Sequence, residues 1–395
     1  MSVTFPLGFR AAGIEAGLKP SGNPDLALLV ADGPATAAGL FTTNAFAAWP
    51  VLLCRERLAD GSARAVLVNS GQANAGTGPE GEADAVAATG ALAELLALDE
   101  HEVLSCSTGV IGERIHMDHL LAGLPELVGG LSIDGGDAFA RAIMTTDTVD
   151  KQAQAERAGY RVGGAAKGVG MISPDLATML VFLTTDAPVP PAALHELALS
   201  TLEEPFESLT VDASSSTNDT VLLLSSGAAG GDPVTPGSSA WSDLCAAVTE
   251  VTESLVSQLA HDAEGVTHVL LIDVEGAPTT ADARVVAKAV ADSPLVKTAA
   301  FGGDPNPGRI LQAIGSSGAT FVPGDVRAWI GDVLVIDGGH IARPYFDGDG
   351  EAARTAMKES DIRVRVSLGD GRGRSRAVGC DLSYEYVRIN GEYTT

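Results

Sequence analysis

The stretch Thr178-Met-Leu-Val-Phe-Leu-Thr-Thr185 is apolar or β-branched at every position. A run of this length without polar alternation predicts a strand that is buried on both faces, as in a sheet covered by other layers. Before it, residues 163–174 are rich in glycine and end in proline, so we predict a turn region there. The turn region leads directly into the central strand.

Outside this stretch, short apolar segments alternate with alanine-rich segments of helical periodicity. The predicted strands are residues 65–69, 103–106, 267–274, 333–336 and 362–367, and the predicted helices are residues 82–98, 138–144, 191–202 and 242–260. Residues 227–239 are rich in Gly, Pro and Ser, which predicts a surface loop. This order predicts a layered α/β or α+β fold. Since the 395 residues exceed the roughly 250–300 at which a single core stops growing, we expect two lobes.

The charge balance limits the possible partners. The chain has 51 acidic and 25 basic residues, a formal charge of −26, which repels nucleic acid and anionic lipid surfaces. No apolar run reaches the roughly 18–20 residues that span a bilayer, and the first residues lack the pattern of a signal peptide. We therefore expect a cytoplasmic protein that binds neither nucleic acid nor membrane and holds any anionic substrate with a local cation.

The sequence contains no spacing typical of a metal site. The four cysteines form no CxxC pair and are expected to be scattered, mostly buried thiols: Cys54, Cys106, Cys245 and Cys380. His116 and His119 share a helical spacing but have no third ligand nearby in the sequence. We expect no metal ion and no tightly bound cofactor.

The segment Lys167-Gly-Val-Gly-Met-Ile-Ser-Pro-Asp-Leu-Ala-Thr-Met-Leu180 is the most informative for chemistry. Taken alone, a threonine that opens a buried strand is usually a β-branched residue with a satisfied hydroxyl. The Gly168-Val-Gly170 fragment is weak evidence for phosphate binding, because it does not follow a predicted strand. These residues by themselves leave both a structural and a nucleophilic role open for Thr178.

The same segment resembles the KGxGMIxPxxATML signature of the ornithine acetyltransferase (glutamate N-acetyltransferase) family. Further blocks resemble that family in the same order along nearly the whole chain: residues 69–71, 73–78, 107–112, 143–148, 216–220, 262–265, 293–298, 303–306, 380–384 and 389–395. The sequence departs from the family pattern at three places. Pro307 stands where Trp is usual, Gln72 stands where Asn is usual, and residues 212–215 read Asp-Ala-Ser-Ser instead of a typical DGDT. These departures leave the substrate preference open.

The resemblance implies a self-processing enzyme of the N-terminal-nucleophile type, with sheets sandwiched by helices. Cleavage between Ala177 and Thr178 would give an α chain, 1–177, and a β chain, 178–395, which form one integrated enzyme. A threonine hydroxyl is a poor nucleophile without an adjacent base. Cleavage supplies that base, because the freed α-amino group of Thr178 has an unperturbed pKa of about 7.7–8.

The resemblance also implies roles for individual residues. Thr108 and Gly109 would stabilise the oxyanion of the acyl-transfer step. Contacts to substrate are implied for Thr145, Lys167, Thr178, Glu264, Asn390 and Thr395. From the residues alone, Ser107-Thr-Gly109 could equally be an ordinary turn, and Lys167 and Glu264 could belong to surface ion pairs.

The implied activity is transfer of the acetyl group from N2-acetyl-L-ornithine to L-glutamate in arginine biosynthesis, by a ping-pong mechanism through acetyl-Thr178. Use of acetyl-CoA as a second acetyl donor stays open. The family assembly implies two α and two β chains. The alternatives are an amidohydrolase or aminopeptidase on a related self-cleaving scaffold, and a non-catalytic binding protein whose chain stays intact.

Overall fold

The computed structural model describes residues 2–172 and 179–392 and divides into two compact units. Of the described residues, the larger unit comprises 2–172, 179–207 and 215–259, and the smaller unit comprises 208–214 and 260–392. Among the described helices, none combines the length and the apolar character that crossing a membrane requires. The described residues likewise contain no group of three or more His, Cys, Asp or Glu side chains placed to hold a metal ion.

The larger unit contains nine strands and six helices within the described residues. The strands are β1 (Phe9–Ile14), β2 (Leu26–Ala31), β3 (Thr36–Phe41), β4 (Ala65–Gln72), β5 (Val103–Val110), β6 (Lys151–Arg157), β7 (Tyr160–Lys167), β8 (Leu180–Thr185) and β9 (Thr220–Ser225). The helices are α1 (Trp49–Arg57), α2 (Gly78–Leu96), α3 (Met117–Gly129), α4 (Gly136–Ala142), α5 (Pro191–Glu207) and α6 (Trp241–His261).

Two sheets pack against each other in this unit. The first has the order β1-β2-β4-β5 and is antiparallel except for the parallel pair β4/β5. The second has the order β3-β9-β8-β7-β6, with one parallel pair, β8/β9. Leu29 and Leu104 of the first sheet share one buried cluster with Phe182 and Leu222 of the second. The interior between the sheets is therefore apolar.

Helices cover the outer face of each sheet. Leu28 and Leu67, on the other face of the first sheet, pack with Leu92 of α2 and Leu124 of α3. On the second sheet, a Cβ atom on Gly164 would lie 2.9 Å from Val251 Cγ1 of α6. The unit is thus a four-layer αββα sandwich. Because strands such as β2 are buried on both faces, their sequences are continuously apolar.

The smaller unit is built on a single sheet. Its strands are β10 (Val269–Ala277), β11 (Arg327–Ile330), β12 (Val333–Asp337), β13 (His340–Ile341), β14 (Asp361–Ser367) and β15 (Gly373–Cys380), in the order β13-β12-β11-β14-β10-β15. Its helices are α7 (Thr280–Asp292), α8 (Pro294–Phe301), α9 (Pro307–Gly315), α10 (Gly350–Ala356) and α11 (Tyr384–Glu392). Ile272 and Val364 of the sheet pack with Val286 of α7 and Ile310 of α9 in one core.

The departure at Pro307 has a local structural account. Pro307 is buried and occupies the first position of α9, where its fixed φ suits a helix start and a backbone N–H is not needed. Asn306 caps the same helix, because its Oδ1 accepts the backbone N–H of Arg309 at 3.2 Å. Proline is therefore compatible with the helix that begins at this position.

The layered α/β fold is confirmed, and so is every predicted strand and helix, with ends shifted by a few residues. The predicted turn region at 163–174 is wrong in its first part, because residues 160–167 form β7. The glycines there reflect crowding: a Cβ atom on Gly163 would lie 1.9 Å from the backbone oxygen of Ser2. Residues 107–109 also belong to a strand, since β5 continues to Val110, so the alternative of an ordinary turn there is wrong.

Candidate active site

The carboxyl ends of the parallel strands β4 and β5 form the floor of the candidate site. Ser70 pairs with Thr108 and Gly71 pairs with Gly109. Both glycines have a φ of +132°, a conformation that side chains with a Cβ atom disfavour. A Cβ atom on Gly109 would lie 2.2 Å from the carbonyl carbon of Gly71. Only glycine therefore allows these two backbones to approach so closely.

Lys167 lies directly against Thr108. It ends β7, its residue is only 2% exposed, and its Nζ donates a hydrogen bond to Thr108 Oγ1 at 3.1 Å. A buried ammonium requires such polar partners, since desolvation is costly. The alternative of a surface ion pair is therefore wrong for Lys167. Because the Thr108 oxygen accepts from Lys167, the hydroxyl proton of Thr108 can point to another acceptor.

The Asp147 carboxylate binds a buried lysine and two backbone N–H groups beside Lys167. This carboxylate and the Lys151 ammonium form a 2.7 Å ion pair, and both side chains are fully buried. The same carboxylate accepts the backbone N–H of Gly168 at 2.9 Å and that of Thr145 at 3.0 Å. Burial raises the pKa of Asp147, but the charges of Lys167 and Lys151 and these hydrogen bonds outweigh burial and lower the pKa to about 2. Asp147 is therefore an ionised anchor for the segments that carry Thr145 and Lys167.

A buried amide network fixes the end of β5. Asn218 Nδ2 donates to the backbone oxygens of Ala73 at 2.6 Å and Ser107 at 2.8 Å. Ser107 Oγ donates in turn to Asn69 Oδ1 at 2.5 Å. Four of the sequence blocks therefore meet beside Thr108, which positions the strand end rigidly.

Asp219 contacts the start of the segment that enters β8. Its Oδ1 accepts the backbone N–H of Met179 at 3.0 Å. Burial raises the pKa of Asp219 well above its usual value. The Met179 N–H, the charge of Lys167 and the nearby hydroxyls of Ser216 and Thr42 only partly oppose this shift. Asp219 therefore contacts the residue that follows position 178 in the sequence.

In the smaller unit, Glu264 lies against the C-terminal helix. Its Oε2 accepts a hydrogen bond from Asn390 Nδ2 at 2.8 Å. The same loop is tied to the start of α11, because Ser383 Oγ donates to the backbone oxygen of Gly265 at 2.6 Å. Glu264 and Asn390, two of the predicted substrate residues, are thus brought together by local contacts.

Comparison with known proteins identifies the family. Residues 10–395 match the ArgJ family. The arginine biosynthesis bifunctional protein ArgJ of Parasynechococcus marenigrum is 49% identical over 399 residues, which covers 100% of this chain and 95% of that protein. The chain belongs to the ArgJ family.

Two solved structures of related proteins are similar over about half of this ArgJ-family chain. The ArgJ crystal structure from Bacillus halodurans is 36% identical with a TM-score of 0.50, and the match covers 53% of this chain and 97% of that one. Ornithine acetyltransferase from Mycobacterium tuberculosis, complexed with ornithine, is 47% identical with a TM-score of 0.43. That match covers 45% of this chain and 96% of that one. The predicted family is confirmed, and at the level of the family so is the predicted enzyme class, an acetyltransferase of arginine biosynthesis.

The structure brings together part of the predicted site. In the larger unit, Lys167 contacts Thr108, the residue before Gly109, and shares the partner Asp147 with the segment of Thr145. In the smaller unit, Glu264 contacts Asn390. Three further predicted residues lie outside the described residues: Ala177, Thr178 and Thr395. The roles assigned to all of these residues stay predictions.

Several site residues received no role from the sequence. The recognised block 143–148 contains Asp147, and the block 216–220 contains Asn218 and Asp219. Their position among the other polar residues of these blocks could have indicated a role in the site. Lys19 also reaches this region, since its Nζ donates to the backbone oxygen of Met144 at 2.7 Å, and its backbone N–H donates to Asp25. Both residues lie outside the recognised blocks, in a loop before β2. The contacts of that loop depend on tertiary structure, which no local pattern reveals.

Proposed function

We propose that this ArgJ-family chain transfers the acetyl group of N2-acetyl-L-ornithine to L-glutamate, giving L-ornithine and N-acetyl-L-glutamate. The observation that carries the proposal is the buried contact between Lys167 and Thr108, at a strand end that only glycine at position 109 allows. This arrangement suits stabilisation of an oxyanion in acyl transfer.

The first step of the proposal is cleavage between Ala177 and Thr178. Thr178 Oγ attacks the Ala177 carbonyl carbon, the peptide C–N bond breaks as the acyl group moves to oxygen, and water hydrolyses the ester. The products are a carboxylate on Ala177 and a free α-amine on Thr178. An amide nitrogen is not basic, so turnover requires this step.

Two observations support cleavage at this position. The expected site lies in the connection between β7 and β8, which are hydrogen-bonded neighbours, so chains 1–177 and 178–395 would remain in one sheet. The Bacillus halodurans chain matches over 97% of its own length while covering 53% of this chain. A solved polypeptide of about half the length is what cleavage near the middle of a precursor would give.

In the transfer step, the α-amine of Thr178 accepts the hydroxyl proton while Oγ attacks the acetyl carbonyl of N-acetylornithine. The negative oxygen is stabilised by the Thr108 hydroxyl and the Gly109 backbone N–H. Losing one such donor typically lowers the rate by about 10²–10³. The Thr178 ammonium gives that hydroxyl proton to the leaving nitrogen as the acetyl C–N bond breaks and ornithine leaves. The amine of glutamate then attacks acetyl-Thr178, the bond to Oγ breaks, and Oγ takes up the proton that this amine loses, which regenerates the free threonine.

The remaining predicted residues recognise the substrates in this proposal. Lys167 favours a carboxylate and Glu264 favours an ammonium group. Thr145, Asn390 and Thr395 are the other proposed substrate contacts. The related ArgJ proteins are named bifunctional. This name supports the use of acetyl-CoA as a second acetyl donor. The assembly that we propose consists of two α and two β chains.

Mass spectrometry of the denatured protein, combined with product analysis, tests the function. We expect two fragments that meet at Ala177/Thr178 in the wild type, one intact chain in Thr178→Ala, and acetylglutamate from acetylornithine plus glutamate. Free acetate as the main product would instead indicate a hydrolase, and an intact wild-type chain without turnover would indicate a binding protein.

Two further measurements test the finer parts of the proposal. Acetyl-CoA plus glutamate, without acetylornithine, shows whether a second donor is used. Native mass spectrometry measures the chain stoichiometry.

A further inference from the structure

The loop between β1 and β2 is wrapped around one buried carboxylate. Asp25 is fully buried and accepts the backbone N–H groups of Ala16 at 2.7 Å, Leu18 at 2.5 Å and Lys19 at 2.9 Å. Three hydrogen bonds to one charged group fix the backbone of this loop firmly. The position of Lys19 is therefore set before any ligand binds.

A second set of contacts places this loop at the end of β4. Gln72 Nε2 donates to the backbone oxygen of Leu18 at 2.8 Å. A Cβ atom on Gly71 would lie 3.0 Å from the same oxygen and 3.5 Å from Lys19 Cγ. Since Gly71 pairs with Gly109, the Lys19 side chain runs beside the proposed oxyanion site. Gln72, which stands where the family usually has Asn, therefore helps to hold the loop that carries Lys19.

The Lys19 ammonium also lies beside the segment of Thr145. Its Nζ donates to the backbone oxygens of Met144 and Pro24, both at 2.7 Å. An ammonium group has three N–H donors, and among the described residues these two oxygens are the hydrogen-bond partners of Lys19. The side chain is half-buried, so one donor is available to a ligand.

The electrostatics of this position favour an anion. Burial lowers the pKa of Lys19 to about 8; Asp25 opposes this shift, Lys167 adds to it, and Asp147 opposes it. Asp147 is already paired with Lys151, and the Lys167 ammonium is bonded to Thr108. A bound carboxylate would accept the remaining N–H donor of Lys19 and add negative charge near two ammonium groups. This local attraction would also offset the repulsion from the formal charge of −26.

We propose that Lys19 is a further substrate-binding residue, which holds the carboxylate common to the two amino-acid substrates. The inference rests on the proposed acetyl transfer and adds a contact that the sequence did not indicate. Because the Lys19 side chain packs beside Gly71 of β4, it would place the substrate carboxylate near Gly109 and orient the α-nitrogen for acyl transfer.

Steady-state kinetics of the cleaved enzyme tests this contact. In Lys19→Met we expect KM to rise about 10-fold to 100-fold for both acetylornithine and glutamate, with kcat changed less than about 3-fold, since a charged hydrogen bond is lost from binding. Lys358→Met, which removes an exposed lysine of the smaller unit, is the matched control and should change neither constant. Unchanged KM values in Lys19→Met, or a rise for glutamate alone, would overturn the inference.

The pH dependence of KM gives a readout that a purely structural role would not move. In the wild type, KM should rise as the pH passes about 8, because Lys19 loses the proton that binds the carboxylate. Lys19→Arg stays charged, so the rise of KM near pH 8 should be smaller in this variant than in the wild type. The α-amine of Thr178 is common to both proteins and cancels in the comparison. The same rise of KM in the wild type and in Lys19→Arg would overturn the inference. This comparison does not depend on whether Lys19→Met folds.

The two proposals fail separately. A wild type that forms no acetylglutamate contradicts the proposed function itself. A wild type that transfers acetyl normally, but whose KM is insensitive to Lys19, contradicts only the role of Lys19.

Discussion

Asp219 accepts the backbone N–H of Met179 on Oδ1 at 3.0 Å, while its Oδ2 is buried and makes no hydrogen bond of ordinary geometry within the described part of the chain. A carboxylate in such a place is costly, because burial favours the neutral acid. The fold therefore keeps an unfavourable acidic group against Met179, the residue that follows the proposed nucleophile in the sequence. An acceptor is needed at this position, but a negative charge is not.

Asp219→Asn keeps the Oδ1 acceptor and removes the charge. Since burial raises the pKa of Asp219, its favourable contribution is fully present below the unfolded value and is lost as the pH rises through the folded value. We therefore expect Asp219→Asn to match the parent near pH 3.5 and to be clearly more stable than the parent at pH 7.5. Urea unfolding of the single-chain Thr178→Ala background measures this difference.

Asp332→Asn, at an exposed position, serves as the control and should show no such pH dependence. A loss of stability in Asp219→Asn that is equal at both pH values would contradict the prediction.

The contribution of Asp147 to stability depends on pH in the opposite direction to that of Asp219. Its pKa is lowered to about 2, so its stabilising contribution is present above the unfolded pKa near 4 and is lost as the pH falls from about 4 to about 2. Asp147→Asn should destabilise the chain by about 3–5 kcal/mol at pH 7, because it leaves the fully buried Lys151 ammonium without its counter-charge.

The double variant Asp147→Asn/Lys151→Met removes both charges of this pair. It should lose less stability than the sum of the two single variants, and urea midpoints at pH 7 test this coupling. Strictly additive losses would mean that the pair does not act as a unit.

Asp147 and Asp219 show which part of the site could not be predicted from the sequence. Strand β8 was predictable because burial on both faces demands a continuously apolar run, and the signature that precedes it indicated the family. The polar partners of the site come from strands and loops far apart in the chain: Asp147 bonds Gly168, and Asp219 bonds Met179. A sequence block shows that such residues are near one another in the chain, but only the folded structure shows which of their atoms form hydrogen bonds.

Glycine caused the main error of secondary-structure prediction, for a physical reason. In residues 163–167 the glycines were interpreted as turn formers, whereas in the structure Gly163 and Gly164 make room for Ser2 and for α6 within β7. A missing Cβ atom serves both purposes equally well. Sequence alone does not distinguish a turn from a close approach.

Gly109→Ala tests the close approach at the candidate site. The added Cβ atom would lie 2.2 Å from the carbonyl carbon of Gly71 and 2.3 Å from its oxygen, so the strand end must move. We expect acetyl transfer to fall at least about 10²-fold, since the Gly109 N–H leaves the proposed oxyanion position. Gly112→Ala is the matched control, because Gly112 also has a positive φ, +87°, but no heavy atom within 4 Å of the added carbon.

Gly112→Ala should cost only about 1 kcal/mol of stability and leave kcat nearly unchanged. Thermal unfolding and kcat, measured on both variants, separate strain from the loss of the oxyanion donor. Equal losses of activity in the two variants would assign the effect to backbone strain alone.

Thr108 offers the sharpest test, because one oxygen makes both the contact to Lys167 and the proposed contact to the oxyanion. Thr108→Val keeps the β-branched shape that suits β5 but deletes the oxygen, which leaves a buried ammonium with one partner fewer and the transition state with one donor fewer. Thr108→Ser retains the hydroxyl and removes only a methyl group. We expect kcat for acetyl transfer to fall about 10²–10³-fold in Thr108→Val and less than about 10-fold in Thr108→Ser. Acetylglutamate formation, measured on preparations whose cleavage has been verified by intact mass, gives the comparison; a valine variant as active as the serine variant would show that the hydroxyl has no part in the transfer.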